Sequence, residues 1–223
     1  MLDFAQARRF MVDNQLRTFD VNDLPVLAAF DAVPRELFVP AGRESLAYID
    51  QDIPVSDGLD VPERRVMLAP MVLARMIQAL DLRPGAKVLD VAGGLGYSAA
   101  IMARLGASVA ALESSRALVE AARERLSSLG VDGVTPVEGP LDGGHPDGAP
   151  FDAILVNGSV DRRPDALLQQ LADGGRLAAI QGRGRAGSAV LFVRSEDAFG
   201  SRSLFDAAAP VLPAFREEPG FVF

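Results

Sequence analysis

The segment Val88-Leu-Asp-Val-Ala-Gly-Gly-Leu-Gly-Tyr97 gives the clearest indication of fold in this chain of 223 residues. Residues 87–92 form an apolar run of strand length, a glycine-rich turn follows, and residues 96–105 have helical spacing. Glycines let the backbone approach a ligand closely, and a helix that begins after such a turn offers free N–H groups. The segment therefore predicts a strand, a ligand-binding turn and a helix, which together are the unit of an open α/β sheet.

The chain after Gly85 repeats this alternation of strand and helix. Strands are predicted at 87–92, 108–112, 134–138, 151–157, 176–180, 189–194 and around Val211, and helices at 96–105, 115–129 and 164–172. Short connections between such units indicate a doubly wound, mostly parallel sheet over residues 85–223. Residues 1–84 predict a helical N-terminal extension, in which the polar segment 50–65 is interpreted as a surface loop.

The composition excludes several classes of protein. The chain has no cysteine, one histidine (His145) and one lysine (Lys87), which excludes disulfides, thiolate metal ligands and clustered-histidine metal sites. The formal net charge of −8 argues against nucleic acid as a partner. The sequence shows neither an apolar run of membrane-spanning length nor an export signal, so we expect a cytoplasmic protein with no membrane or metal partner.

The glycine turn has two functional interpretations. As a dinucleotide fingerprint it is read as Gly94-x-Gly96-x-x-Ala99, with Glu113 accepting from the ribose. As a site for S-adenosyl-L-methionine it begins at Asp90, again with Glu113 on the ribose. Asp90 favours the second interpretation, because a carboxylate attracts a sulfonium ligand with a free amino group and repels a pyrophosphate. A glycine turn that binds nothing is the third alternative.

Further motifs precede the turn in the order Val12-Asp-Asn-Gln-Leu-Arg17, Val26-Leu-Ala28, Val33-Pro-Arg-Glu-Leu-Phe-Val-Pro40 and Ala47-Tyr-Ile-Asp50. With the turn and Glu113, they resemble the protein-L-isoaspartate O-methyltransferases over residues 11 to about 195, and 221–223 faintly resemble the C-terminal strand of that family. The resemblance implies a Rossmann-like methyltransferase with S-adenosyl-L-methionine as cofactor. It also implies an isoaspartyl protein or peptide as substrate, whose free carboxylate is methylated in the repair of damaged proteins.

This chemistry suits a chain with few potential general bases. A carboxylate with a pKa of about 4 is already ionised at neutral pH, so the acceptor needs no histidine, cysteine or lysine to remove a proton. The enzyme has to align the acceptor oxygen with the methyl–sulfur bond and exclude water, and orientation of this kind contributes up to about 7–11 kcal/mol.

Three positions depart from the family pattern. The family has Thr-Ile-Ser-Gln-Pro, with its serine hydroxyl at the substrate carboxylate, where this chain has Val66-Met-Leu-Ala-Pro70. The family's Gly-Asp-Gly, which helps to bind adenine, corresponds here to Gly139-Pro-Leu141, and Ala92 replaces the first motif glycine. We therefore expect the cofactor pocket to persist, and methylation of isoaspartyl substrates to be weak or redirected to another acceptor.

The candidate catalytic positions are Leu68, which replaces the family serine, and Arg64 and Arg65, interpreted as an anion clamp rather than as two solvated charges. The candidate cofactor-binding residues are Asp90, Ala92, Gly93, Gly94, Gly96, Tyr97, Glu113, Ser114, Pro140, Leu141 and Asn157. Two other functions stay open. One is a non-catalytic protein that binds S-adenosyl-L-methionine or a nucleotide. The other is an NAD-dependent oxidoreductase, for which the chain lacks a Tyr-x-x-x-Lys motif.

Overall fold

The computed structural model describes residues 3–61, 63–182 and 184–217. Its strands are β1 Ile53–Pro54, β2 Val66–Met67, β3 Lys87–Val91, β4 Ser108–Glu113, β5 Val134–Glu138, β6 Phe151–Val160, β7 Leu171–Gln181, β8 Ser188–Ser195 and β9 Ala198–Asp206. Its α-helices are α1 Phe4–Met11, α2 Leu24–Ala32, α3 Pro70–Leu80, α4 Tyr97–Arg104, α5 Arg116–Ser128 and α6 Asp165–Leu168.

Seven of these strands form one sheet in the order β5-β4-β3-β6-β7-β8-β9. The pairs from β5 to β7 are parallel, and β8 and β9 continue the sheet antiparallel to their neighbours. The strand order reverses between β3 and β6, and open sheets of this kind bind ligands beyond the carboxyl ends of the strands at such a point. The prediction of a doubly wound, mostly parallel sheet is confirmed, and the glycine turn lies at this reversal point.

The helices begin where the sequence places good first-turn residues. The Asp23 carboxylate accepts a hydrogen bond from the Val26 amide at 2.9 Å, and Pro25 occupies the first turn of α2. α3 likewise begins at Pro70, whose missing N–H would have no partner there in any case. These two helices place the N-terminal extension against the sheet.

The hydrophobic core is continuous across residue 84. Phe30, Phe38 and Leu73 from the N-terminal part belong to the same buried cluster as Val88 and Ile101 from the strand–turn–helix unit. Polar contacts add to this packing, because the Gln78 side-chain carbonyl in α3 accepts from the backbone amides of Asn22 and Asp23 at 2.8 and 2.9 Å. The extension is therefore held firmly against the sheet beside the glycine turn.

Some elements differ from the prediction. The predicted helix 164–172 is shortened to α6, since Leu171 already begins β7 and pairs with Phe151. Val211 makes only an isolated bridge with Ser159, whereas β9 was not predicted. The segment 50–65 is not uniformly a surface loop: it contains β1 and the buried side chain of Arg65. Residues 221–223 lie outside the described residues.

Candidate active site

The turn between β3 and α4 uses backbone conformations that favour glycine. Ala92, Gly94 and Gly96 have φ values of 59°, 63° and 95°. The Ala92 side chain is tolerated in a fully buried position, but a left-handed conformation costs a non-glycine residue about 1–2 kcal/mol. Gly93 has an ordinary φ, yet a Cβ there would collide with the Asp90 carboxylate and lie 2.9 Å from Ser98 Oγ. The turn therefore places backbone without side chains directly beside the buried Asp90 carboxylate.

Asp90 lies near the carboxyl end of β3 and is completely buried. Its two oxygens accept hydrogen bonds from Ser98 Oγ in α4 and from Asn157 Nδ2 in β6, both at 2.7 Å. Asn157 also donates to the Val91 carbonyl at 3.1 Å. Burial raises the pKa of Asp90 to about 6, against the opposing effect of these hydrogen bonds. Ser98, which the sequence analysis missed, thus helps to orient this carboxylate.

Glu113 is the last residue of β4, directly beside β3 in the sheet. Its Oε1 accepts from the Gly94 amide at 2.8 Å, and its Oε2 accepts from the Ser114 amide at 3.3 Å. Burial raises the pKa of Glu113, and the neighbouring Arg65 guanidinium acts in the opposite direction. The predicted pair of acids, Asp90 and Glu113, therefore meets at the tips of neighbouring strands beside the glycine turn.

Arg65 also enters this cleft. Its side chain is only 1% exposed, and Nε donates to Glu113 Oε2 at 3.1 Å. Nη1 pairs with Glu63 at 2.9 Å, and Nη2 donates to Ser114 Oγ at 2.8 Å. Arg64 is exposed instead. The two arginines thus lie in different environments and, as they stand, do not form the expected two-residue clamp.

Little space remains between the glycine turn and the two acids. The cavity lined by Asp90, Gly94 and Glu113 has a volume of about 10 Å³, which is room for no more than one water molecule. Val55 packs closely against the turn, because its Cγ2 would lie 2.8 Å from a Cβ on Gly94. The residues carry the right chemistry for a nucleoside with a positive charge, but Arg65 is packed against Glu113 and has to withdraw before a ligand can bond to that carboxylate.

Several other predicted cofactor residues do not line this cavity. The Tyr97 ring packs against Phe30 and Phe38, with the Arg35 guanidinium 4.9 Å from its centroid. Leu141 is buried in the hydrophobic cluster that also contains Leu112 and Phe151, while Pro140 is exposed. None of these three residues lines the cavity beside the two acids.

The segment Val66–Pro70, which leads into α3, consists of buried apolar residues, and we call it the wall. Leu68 is 1% exposed, and its carbonyl accepts from Arg35 Nη2 at 2.7 Å. The Ala69 amide donates to Asp52 Oδ1 at 2.8 Å, and the Met71 amide donates to Asp50 Oδ1 at 3.2 Å. Two carboxylates of the chain itself thus occupy the N-terminus of α3.

Sequence comparison identifies the group of proteins to which this arrangement belongs. The sequence profile of the family described as protein-L-isoaspartate(D-aspartate) O-methyltransferase matches residues 8–204. The chain belongs to this family. The protein-L-isoaspartate O-methyltransferase of Methylorubrum populi is 44% identical over 79% of each chain. That of Roseiflexus castenholzii is 38% identical over 92% of this chain and 91% of the other.

Two solved structures share the fold of this chain. A protein-L-isoaspartate O-methyltransferase aligns with a TM-score of 0.79 at 27% identity, over 93% of this chain and 65% of that chain. A Plasmodium falciparum structure, described as a beta-aspartate methyltransferase in complex with S-adenosyl-L-homocysteine, aligns with a TM-score of 0.76 at 21% identity. That alignment covers 93% of this chain and 98% of the other and shows the fold alone.

Membership of the protein-L-isoaspartate O-methyltransferase family confirms the prediction of a methyltransferase with a Rossmann-like fold, and it supports S-adenosyl-L-methionine as the methyl donor. It favours this function over the NAD-dependent oxidoreductase and over the non-catalytic binding protein. The individual site residues, including Leu68 at the position of the family serine, stay predictions. Among the described residues, no helix is long and apolar enough to cross a membrane.

Proposed function

We propose that this protein transfers the methyl group of S-adenosyl-L-methionine to the free carboxylate of L-isoaspartyl residues in proteins or peptides. The observation that carries the proposal is the family match over residues 8–204, which includes the Asp90 and Glu113 positions and the turn between them. The buried pair of acids beside bare backbone supports the cofactor half of the reaction.

The cofactor half of the site uses charge and hydrogen bonds. Glu113, at the tip of β4, is the acceptor for the two ribose hydroxyl groups, and Asp90, at the tip of β3, attracts the positively charged methionine end. Gly93 and Gly94 allow the ligand to approach the backbone. The bound sulfonium supplies an activated methyl group, so this chain has only to position it.

The acceptor half of the site has to position an anion. The isoaspartyl carboxylate is ionised at neutral pH and needs no general base. Leu68 offers no hydrogen bond, and the Ala69 amide is already bonded to Asp52. Arg64, exposed and electrostatically coupled to Asp52, is the cation that we assign to attracting the acceptor. This wall favours slow transfer compared with a wall that carries the family serine.

The direct test is a methyl-ester assay with one peptide in two forms, containing either an isoaspartyl or an aspartyl residue. We expect methyl esters only with the isoaspartyl form and only with S-adenosyl-L-methionine present. Absence of ester formation at millimolar cofactor, or equal methylation of both peptides, would overturn the proposal.

A matched pair of variants tests the ribose contact. Glu113 and Glu138 end neighbouring parallel strands and lie opposite each other in register, but Glu138 is exposed and pairs with Arg116. Glu113→Gln should raise the KM for the cofactor about 10- to 100-fold, since hydrogen bonds to a charged group contribute about 1.5–3 kcal/mol. Glu138→Gln should leave it unchanged. Equal effects in the two variants would remove Glu113 from the cofactor site.

A further inference from the structure

The Arg65 guanidinium is held inside the cofactor cleft by three different side chains. Nε, Nη1 and Nη2 each donate to a separate acceptor, on Glu113, Glu63 and Ser114. The backbone fixes the same residue, because the Arg65 amide donates to Ser56 Oγ at 3.0 Å and its carbonyl accepts from the Val55 amide at 3.0 Å. We call this buried side chain, with a hydrogen bond at each of its three nitrogens, the Arg65 plug.

The Arg65 plug is bonded to the Glu113 carboxylate, to which the cofactor ribose would also bond. Glu113 Oε1 is bonded to the Gly94 amide, and Oε2 accepts from both Arg65 and the Ser114 amide. A carboxylate has about four lone-pair sites, so one site is formally free. The Glu113 side chain is nevertheless only 4% exposed, and the Arg65 side chain packed against it is 1% exposed, so no oxygen of Glu113 is open to a sugar. A ribose therefore reaches Glu113 only after the Arg65 plug has left.

Glu63, one of the partners of Arg65, lies partly at the surface. The Glu63 side chain is 26% exposed, whereas that of Glu113 is 4% exposed. The guanidinium can therefore keep its pair with Glu63 at the surface while it gives up Glu113 and Ser114. Its charge then moves toward solvent and away from the positively charged cofactor, which lowers electrostatic repulsion.

Resting on the proposed function, we propose that Arg65 is a built-in competitor of the cofactor ribose and keeps the site closed until the cofactor displaces it from Glu113. Cofactor binding exchanges the Arg65–Glu113 pair for hydrogen bonds between Glu113 and the ribose hydroxyl groups. The exchange makes Arg65 a determinant of cofactor affinity that acts in the cofactor-free enzyme.

This role predicts an effect opposite to that of an ordinary structural arginine. Removing Arg65 leaves the buried Glu113 without its charge partner, and such a loss destabilises the free protein. A ligand that bonds to Glu113 restores the lost contacts, so the variant should bind the cofactor more tightly than the wild type. A purely structural arginine would instead weaken binding when it is removed.

Calorimetric titration with S-adenosyl-L-homocysteine measures this difference. We expect Arg65→Gln to lower Kd about 10- to 100-fold, in the range expected for one or two hydrogen bonds to a charged group. Arg43→Gln is the matched control. It breaks the exposed pair between Arg43 and Asp57, and Asp57 lies on the same β1–β2 connection as Arg65, but the change does not touch Glu113. Its Kd should stay within about twofold of the wild type, as exposed pairs contribute little.

Hydrogen exchange provides a second readout that does not depend on activity. In the wild type, added S-adenosyl-L-homocysteine should speed exchange at the Val55 and Arg65 amides, which bond to the Arg65 carbonyl and to Ser56 Oγ and should loosen when the Arg65 side chain leaves, and should slow it at Gly94. In Arg65→Gln the amides of Val55 and of position 65 should already exchange rapidly without ligand. If Arg65→Gln does not fold, Arg65→Lys keeps the charge but loses the three-way bonding, and it should tighten binding several-fold.

The outcomes separate this inference from the proposed function. A folded Arg65 variant with a Kd equal to or weaker than that of the wild type would overturn the plug and leave the proposed function standing. Binding by Arg65→Gln together with no binding by the wild type would support the plug. If neither protein bound S-adenosyl-L-homocysteine at millimolar concentration, both the cofactor assignment and the plug would fall.

Discussion

The cofactor half and the acceptor half proposed for the site differ in the side chains that they offer to a ligand. The cofactor half has two acids, Asp90 and Glu113, and buries them in hydrogen bonds within the chain. The acceptor half has Leu68, which offers no hydrogen bond, at the position that the resemblance to the family assigns to a serine. We therefore propose that the cofactor half retains its chemistry beneath Arg65, whereas the acceptor half lacks a side-chain donor for the acceptor carboxylate.

The fold explains why the two halves differ in what they tolerate. Asp90 and Glu113 are fixed by strand register, and the turn between them needs positive φ at Gly94 and Gly96, so few substitutions fit. At the wall, Arg35 holds the Leu68 carbonyl, a contact that does not depend on the side chain at position 68. The wall can therefore change its side chains while its backbone stays in place.

The largest effect is expected at the glycine turn. Gly94→Ala places a Cβ against Val55 at a φ of 63°, whereas Gly130→Ala has nearly the same φ, 61°, and nothing within 4 Å. We expect Gly130→Ala to lower the free energy of unfolding by about 1 kcal/mol and Gly94→Ala by about 3 kcal/mol, with loss of cofactor binding in Gly94→Ala alone. Urea denaturation and calorimetry check both values. Equal losses in the two variants would show that the cofactor half is not the less tolerant one.

The pH dependence of stability tests the buried acid. Burial raises the pKa of Asp90 to about 6, so at pH 4 to 6 the folded protein holds a proton that the unfolded chain has released. Through Asp90, rising pH therefore lowers the free energy of unfolding by about 3 kcal/mol over this range, and Asp90→Asn should remove this contribution. The difference in free energy of unfolding between the two proteins, measured by urea denaturation from pH 4 to 7, isolates it. A difference that does not change with pH would contradict the raised pKa of Asp90.

The fold was largely predictable from the sequence because its inner strands are apolar runs. β3 and β6 are covered on both faces, so their residues form nearly continuous apolar segments. β9 lies at the edge of the sheet, and its exposed Ser201 and Arg202 hide it from such a pattern. The position of Val211 in the chain suggested another strand, but only one bridge forms there.

The site was predictable where its geometry is local. Asp90, the glycines and Glu113 follow from one strand–turn–helix unit and the next strand. The burial of Arg65 does not, because its segment is polar and its partner Glu113 lies 48 residues further along the chain. The contact between Asp52 and the Ala69 amide likewise joins residues 17 positions apart. Such pairings depend on how the extension docks, which no local pattern encodes.

A smaller effect is expected at position 68. Leu68→Ser and Leu68→Ala create nearly the same cavity and should each lower the free energy of unfolding by about 3 kcal/mol. Only the serine restores a donor for the acceptor carboxylate, so we expect its kcat/KM for an isoaspartyl peptide to exceed that of Leu68→Ala about tenfold. Initial rates of methyl-ester formation measure the ratio. Equal rates would show that the acceptor does not contact this position.

The smallest effect is expected at the N-terminus of α3. Asp52→Asn keeps an oxygen for the Ala69 amide but removes a negative charge beside the acceptor wall. Weaker repulsion should raise kcat/KM for the anionic acceptor about threefold, as for charges several ångströms apart near a surface. Methylation rates at low and high salt test this, since salt should reduce the gain. A lower rate in the variant would place the acceptor elsewhere.

The continuous core has a consequence for the kinetics of turnover. Because Phe38 and Leu73 pack in one cluster with Val88 and Ile101, a swing of the extension away from the sheet about residue 84 would have to open this buried cluster. Cofactor exchange then depends on the local release of one side chain and its short connection, a kind of motion that spans nanoseconds to microseconds. Release of the product nucleoside should consequently be limited by the breaking of its own contacts in the site. It should not be limited by a slow rearrangement of whole domains.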